Sequence, residues 1–119
     1  MSLEQDRLWI LRHMPAARAA AQRLPDLSGV RIACSMHLDA KMIPFVEGLL
    51  DHGAAVYLAT CNPSTVRDDV VSHLRSRGAA GRPYRDMPPD AYDAQVRAGL
   101  EWEPTHLCEM GADFSHMLL

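Results

Sequence analysis

Short apolar runs alternate with helix-length amphipathic stretches, and this alternation constrains the fold more than any other feature of the chain. Residues 30–34 (VRIAC), 55–60 (AVYLAT) and 105–109 (THLCE) have the length and apolar content of buried strands. Residues 40–52 read as an apolar helix carrying Met42, Ile43, Phe45, Val46, Leu49 and Leu50, with Gly53 placed to end it. Ser64 can cap a second helix running to about residue 77, with Val66, Val70, Val71 and Leu74 on one face. Pro88, Pro89 and Asp90 open a third over residues 91–100. A weak strand is expected over residues 82–85. In front, residues 3–23 read as a helix that Pro15 must kink or split. Strands alternating with such helices make βαβ units on a parallel sheet. The expected fold class is therefore α/β: three layers, α/β/α, around a mostly parallel sheet, a Rossmann-like or flavodoxin-like half-domain.

The length, 119 residues, fits one domain with a core of its own. Net charge is −3 and no run of Lys or Arg occurs, so the footprint of a nucleic-acid binder is missing. No apolar stretch reaches the roughly 18 residues of a membrane span. The start of the chain is charged (Glu4, Asp6, Arg7) and lacks a signal-peptide core. Three cysteines, an odd number, argue against a disulfide framework. A reducing cytoplasm is the expected compartment.

Ligands of open parallel sheets bind beyond the carboxyl ends of the strands. Sorted by that rule, the first strand is followed by Cys34, Ser35, His37 and Asp39. The second is followed by Thr60, Cys61, Asn62, Ser64 and Thr65, and the last by Cys108, Glu109, Asp113 and Ser115. Every α/β domain places some polar loop residues there, so the pattern alone is a weak signal. A zinc site of the cysteines with His37 has suitable ligand types, but no C-x-x-C spacing supports it, and small cysteines commonly fill strand interiors. His52 and His73 fall near helix C-termini, where an imidazole meets the favourable end of the helix dipole. No G-x-G-x-x-G, P-loop or nucleophile elbow follows any strand.

Four separated blocks resemble, in order, the S-adenosylhomocysteine hydrolases. Residues 30–37 (VRIACSMH) are similar to that family's "G-x-R-I-x-x-x-L-H-M" run. Residues 49–56 and 60–65 (LLDHGAAV, TCNPST) are similar to "L-x-x-L-G-A-E-V-x-x-x-S-C-N-x-x-S-T". Met14-Pro15 looks like the "M-P" of the family's leading helix, and residues 109–118 (EMGADFSHML) sit where the family has "D-D-G-G-D-L-T-x-L-x". The likeness covers nearly the whole chain but only the front part of the family's substrate-binding domain. It implies that residues 1–119 are a partial substrate-binding domain, with no NAD domain and no cofactor of its own; NAD is expected only if a further domain follows. The apolar last segment after a strand and a Gly turn fits a chain that stops mid-architecture.

The resemblance also implies roles. That family oxidises a ribose 3′-OH with NAD and eliminates at the 5′ position, which calls for proton relays beside the sugar. It places His37 in such a catalytic role and puts Asp39, Lys41, Cys61, Asn62, Glu109 and Asp113 around a nucleoside-type ligand. Departures are concentrated here. The family's "H-M-T-x-x-T/E" positions are Asp39 and Lys41, which reverses one charge, and the second acid of its "D-D-G-G-D" motif is Met110. A thioether does no acid–base work. Asp39 and Lys41, two apart, do not face each other on an α-helix, which argues against their pairing. The expectation is a non-catalytic part of a hydrolase-like protein that binds an adenosine-type nucleoside. The alternatives are a stand-alone small-ligand module, or an inert remnant whose exposed apolar surface drives homo-oligomerisation.

Overall fold

The computed structural model describes residues 2–119. Helix α1 (Leu3–His13) opens on a reciprocal cap: Ser2 Oγ accepts from Gln5 N, and Gln5 Oε1 accepts from Ser2 N. Pro15 splits the leading helix, as its missing N–H and ring require. Met14 is the joint, closing α1 through its N–H to Ile10 O and preceding α2 (Pro15–Gln22).

Strand β1 (Arg31–Met36) is central. On one side it pairs in parallel with β2 (Ala55–Thr60), and on the other with β3 (His106–Glu109), in the order β2-β1-β3. A 3-10 turn (Ala40–Met42) and α3 (Ile43–Asp51) link β1 to β2. A second 3-10 turn (Pro63–Thr65), α4 (Asp68–Ser76) and α5 (Pro89–Glu101) lead on to β3, and α6 (Asp113–Leu118) follows it. The cap of the second 3-10 turn is Asn62 rather than Ser64, and α4 begins only at Asp68.

Side-chain alternation along the strands supplies two buried faces. Cys34, Met36, Val56 and Leu58 join Ile10, Val46, Leu49, Val70 and Leu74 under α1–α4. Ala33 and Ala59 face the opposite way, against Val96 and Phe114 of α5 and α6. The small strand residues on this second face leave room for Phe114, which is fully buried. Helices thus cover both faces of an all-parallel sheet, the three-layer α/β arrangement expected.

The strand expected over residues 82–85 does not form. The chain touches the outer edge of β2 once, at Ala80, whose N–H donates to Val56 O (2.8 Å) while its carbonyl accepts from Leu58 N (2.8 Å). Gly81 then takes φ +84°, and a Cβ there would lie 2.3 Å from Leu58 O. That left-handed turn steers the chain off the sheet, and Pro83 has no N–H with which to continue a ladder.

Candidate functional site

The carboxyl ends of the three strands meet as the sequence suggests, but they do not converge on one pocket. His37 leaves β1 with its Nδ1 2.9 Å from Thr65 Oγ1. The Thr65 hydroxyl proton goes to Asn62 O at 2.8 Å, so its oxygen accepts from His37 Nδ1–H. In a neutral imidazole this assignment leaves Nε2 as the proton acceptor, the state a general base needs. Asn62 is occupied locally: its Oδ1 accepts from Ser64 N (3.1 Å) and Ser64 Oγ (2.8 Å).

Asp39 caps the first 3-10 turn, accepting from Lys41 N at 2.9 Å. Contrary to the expectation for an α-helix, Lys41 Nζ also reaches Asp39, 3.9 Å from Oδ2. The cap position lies outside helical geometry, so the spacing rule for helix faces does not apply to it. Both side chains are substantially exposed, and the pair adds little stability.

Beyond β3, Glu109 points its carboxylate at the start of α6. It accepts from Phe114 N (2.9 Å) and Ser115 N (3.2 Å), and from Ser115 Oγ. Asp113 accepts from Tyr92 Oη at 2.5 Å, and the Cys61 carbonyl lies 3.2 Å from the same hydroxyl. Burial, followed by hydrogen bonding to Asp113, pushes the Tyr92 phenol up. Burial, and then the Asp113 charge, pushes the Cys61 thiol up, so Cys61 stays protonated and is a poor nucleophile. Asp113 and the Cys61 carbonyl thus share the Tyr92 hydroxyl, while Glu109 holds the start of α6 separately.

Open space lies on the other side of the sheet. A cavity of about 550 Å³ is bounded by α2, α3 and the ends of β1 and β3. Met36, Met42, Phe45, Cys108 and Met110 dominate its wall, and Lys41 brings an ammonium to it. Glu109 borders the cavity too, but its carboxylate is committed to α6. A cavity of about 320 Å³ lies on the far side of Lys41, between Asp39, Arg67, Asp6 and Trp9. There Arg67 is held by Asp6 and by Asp69 (2.8 Å). A groove of about 280 Å³ between α1, α2 and α3 is lined by no strand-end residue.

Of the sequence-derived site residues, the structure brings Lys41 and Glu109 to the larger cavity and Asp39 and Lys41 to the smaller one. His37, Cys61, Asn62 and Asp113 line neither. The sequence reading missed the wall residues Met36, Met42 and Phe45. Cys34 and Cys108, read as lying at the ends of their strands, fall within them and are directly paired. Among the described residues no cluster of three or more His, Cys, Asp or Glu could hold a metal. No helix there is long and apolar enough to cross a membrane. The turn after β1 carries no glycine, and Pro44 contributes no N–H to the first turn of α3.

No protein-family model matches the chain. Individual proteins do. The chain is 35% identical over 114 residues to an adenosylhomocysteinase of Aeropyrum pernix, an alignment covering 93% of this chain and 27% of that protein. It is 31% identical over 108 residues to an S-inosyl-L-homocysteine hydrolase of Methanopyrus kandleri, covering 88% and 26%. It is 31% identical over 113 residues to an adenosylhomocysteinase of Archaeoglobus fulgidus, covering 92% and 28%. The chain thus spans about a quarter of the length of these relatives.

Proposed function

The chain belongs to the adenosylhomocysteinase family over the quarter of its relatives' length that it spans, and on that premise we propose that it binds an adenosine-type nucleoside in the larger cavity without turning it over. The observation that carries this reading is the cavity itself. It opens at the carboxyl edge of a parallel sheet, where such folds take ligands, and its volume lies in the range of small-molecule sites. Thioethers and Phe45 offer a polarizable, apolar wall to a purine ring. Lys41 offers hydrogen-bond donors and no acceptor. The names of the relatives point to adenosyl and inosyl compounds as the ligand class.

The chemistry of two residues supports the absence of turnover. Met110, which stands where the resemblance expects an acid, exposes a thioether that moves no proton. The Glu109 carboxylate, the acid beside it, is already taken up by α6. NAD would belong to a separate domain of a longer protein.

Titration calorimetry with adenosine, and with inosine in parallel, tests the reading. A one-to-one heat that Lys41→Ala and Phe45→Ala each weaken supports it. No heat from either nucleoside at millimolar concentration sinks it. S-adenosylhomocysteine incubated with the chain, with and without NAD, should release no adenosine.

A second reading rests on one further observation. Phe45 and Met110, beside the cavity, and Leu118 of α6 are exposed apolar side chains near β3, whose outer edge is unpaired among the described residues. Self-association through this edge predicts a mass in solution that rises with protein concentration, and a mass independent of concentration refutes it.

A further inference from the structure

Cys34 and Cys108 sit directly opposite each other on β1 and β3. Both side chains lie on the α1–α4 face of the sheet, Cys34 in the core and Cys108 packed against it. Neighbouring strands are about 4.8 Å apart, which falls inside the roughly 4.4–6.8 Å window between Cα atoms that a disulfide bridges. The two positions differ in access. Cys34 is fully buried, whereas Cys108 is half-buried and forms part of the wall of the 550 Å³ cavity. One thiol is therefore open to a small solute, and its partner waits behind it.

We propose that Cys34 and Cys108 form a redox-active dithiol, in which a peroxide entering the cavity oxidises Cys108 and Cys34 closes the disulfide. The Cys108 thiolate attacks one peroxide oxygen: an S–O bond forms and the O–O bond breaks. The departing hydroxide takes up the proton that Cys108 gave up and leaves as water. The Cys34 sulfur then attacks the sulfenic sulfur of Cys108. An S–S bond forms, the S–O bond breaks, and the Cys34 proton leaves with the hydroxide as a second water. Peroxide gains two electrons and the thiol pair loses two. An added dithiol reverses the reaction by exchange.

Electrostatics favour this division of labour. Hydrogen bonding to Cys108, and then burial, pushes the Cys34 thiol up, so it is not the first to meet peroxide and gives up its proton only as it attacks, to the hydroxide that leaves Cys108. The same bond pulls the Cys108 thiol down to about 6. A thiolate is the reactive form, so the accessible member is also the more reactive one. Because β1 and β3 are already in register, closing the bond asks for no exchange of strand partners. The inference does not depend on which ligand the cavity takes.

The test is intact mass and peptide mapping of the reduced chain after graded hydrogen peroxide, with Cys61→Ser as the background. The expected result is loss of the mass of two hydrogens, restored by dithiothreitol, with one cross-linked peptide joining Cys34 to Cys108. Cys34→Ala should stop at a Cys108 sulfenic acid that dimedone traps. Cys108→Ser should give neither product, and it changes the half-buried member, leaving the core residue intact. The proposal is overturned if both thiols of the folded chain stay reduced while Met110 or Met42 gains oxygen. A disulfide that joins two chains, or dimedone labelling that persists in Cys108→Ser, overturns it equally.

Discussion

Gln95 binds both backbone polar groups of Thr60 with one side chain. Its Oε1 accepts from Thr60 N at 3.1 Å and its Nε2 donates to Thr60 O at 2.8 Å. The amide stands in for a missing strand at the outer edge of β2, where Ala80 has already paired with Val56 and Leu58. Thr60 is fully buried, so water does not substitute. Gln95→Leu keeps the bulk of the side chain and removes both partners. It should cost about 1–3 kcal/mol, the range for orphaned buried polar groups. Urea unfolding checks this. An unchanged midpoint would show that the clamp is dispensable.

Tyr92 ties α5 to α6 in a comparable way. Its hydroxyl donates to Asp113 in the first turn of α6, a helix of six residues with little stability of its own. Tyr92→Phe removes that charge-assisted bond and should cost roughly 1.5–3 kcal/mol. The α6 amides should also exchange faster with solvent than those of β1, because only Phe114 and Glu109 would still hold that helix. Exchange monitored by NMR reads this directly, and uniform exchange across the chain would argue against a local tie.

Gly81 is where the chain leaves the sheet. Ala at this position meets two penalties at once: a left-handed φ of +84° and a Cβ 2.3 Å from the Leu58 carbonyl oxygen. Backbone cannot swing aside as a flexible side chain can. Gly81→Ala should destabilise by roughly 2–4 kcal/mol. Gly29→Ala is the matched control, since it shares the positive φ but finds nothing within 4 Å of a new Cβ. Equal midpoints for the two variants would show that the close approach to Leu58 carries no cost.

These positions also mark what the sequence could and could not reveal. Residues 55–60 read as a strand because the run is apolar and is bounded by Gly53 and Pro63, and the structure returns those bounds. Pro15 likewise announced the break between α1 and α2. Residues 82–85 misled because local composition says nothing of Gly81 pressing on Leu58. Tyr92 and Gln95 were missed for the same reason: each acts on a partner about twenty to thirty-five residues away, on another element. Lys41 and Glu109 were legible as strand-end residues. That Glu109 turns its carboxylate to α6 while Lys41 stays at the cavity depends on the strand alternation on β3 and the course of the chain after it. Phe45 read as part of an apolar helix, and only the gap between α2, α3 and β3 makes it a wall.

The thiol pair gives the sharpest pH dependence. Cys108 is lowered to about 6, so its reactive thiolate is present above that pH and is lost as pH falls through it. The rate of Cys108 alkylation by iodoacetamide should rise to a plateau by about pH 7, below the usual thiol range near 8.5. Cys61 is shifted the opposite way by burial and by Asp113, so its alkylation should still be climbing at pH 9. Removing the donor in Cys34→Ala takes away the hydrogen bond that stabilises the Cys108 thiolate, and the Cys108 profile should move to higher pH. The change should appear in the position of the curve, with a somewhat higher plateau because a more basic thiolate is the better nucleophile. Once oxidised, the pair closes a long loop between β1 and β3 and should stabilise the chain by roughly 4 kcal/mol on the chain-entropy scale. Peptide-resolved alkylation across the pH range separates the two cysteines. A Cys108 midpoint that ignores Cys34→Ala would mean that the two thiols do not share a proton, and that Cys108 owes its reactivity to access alone.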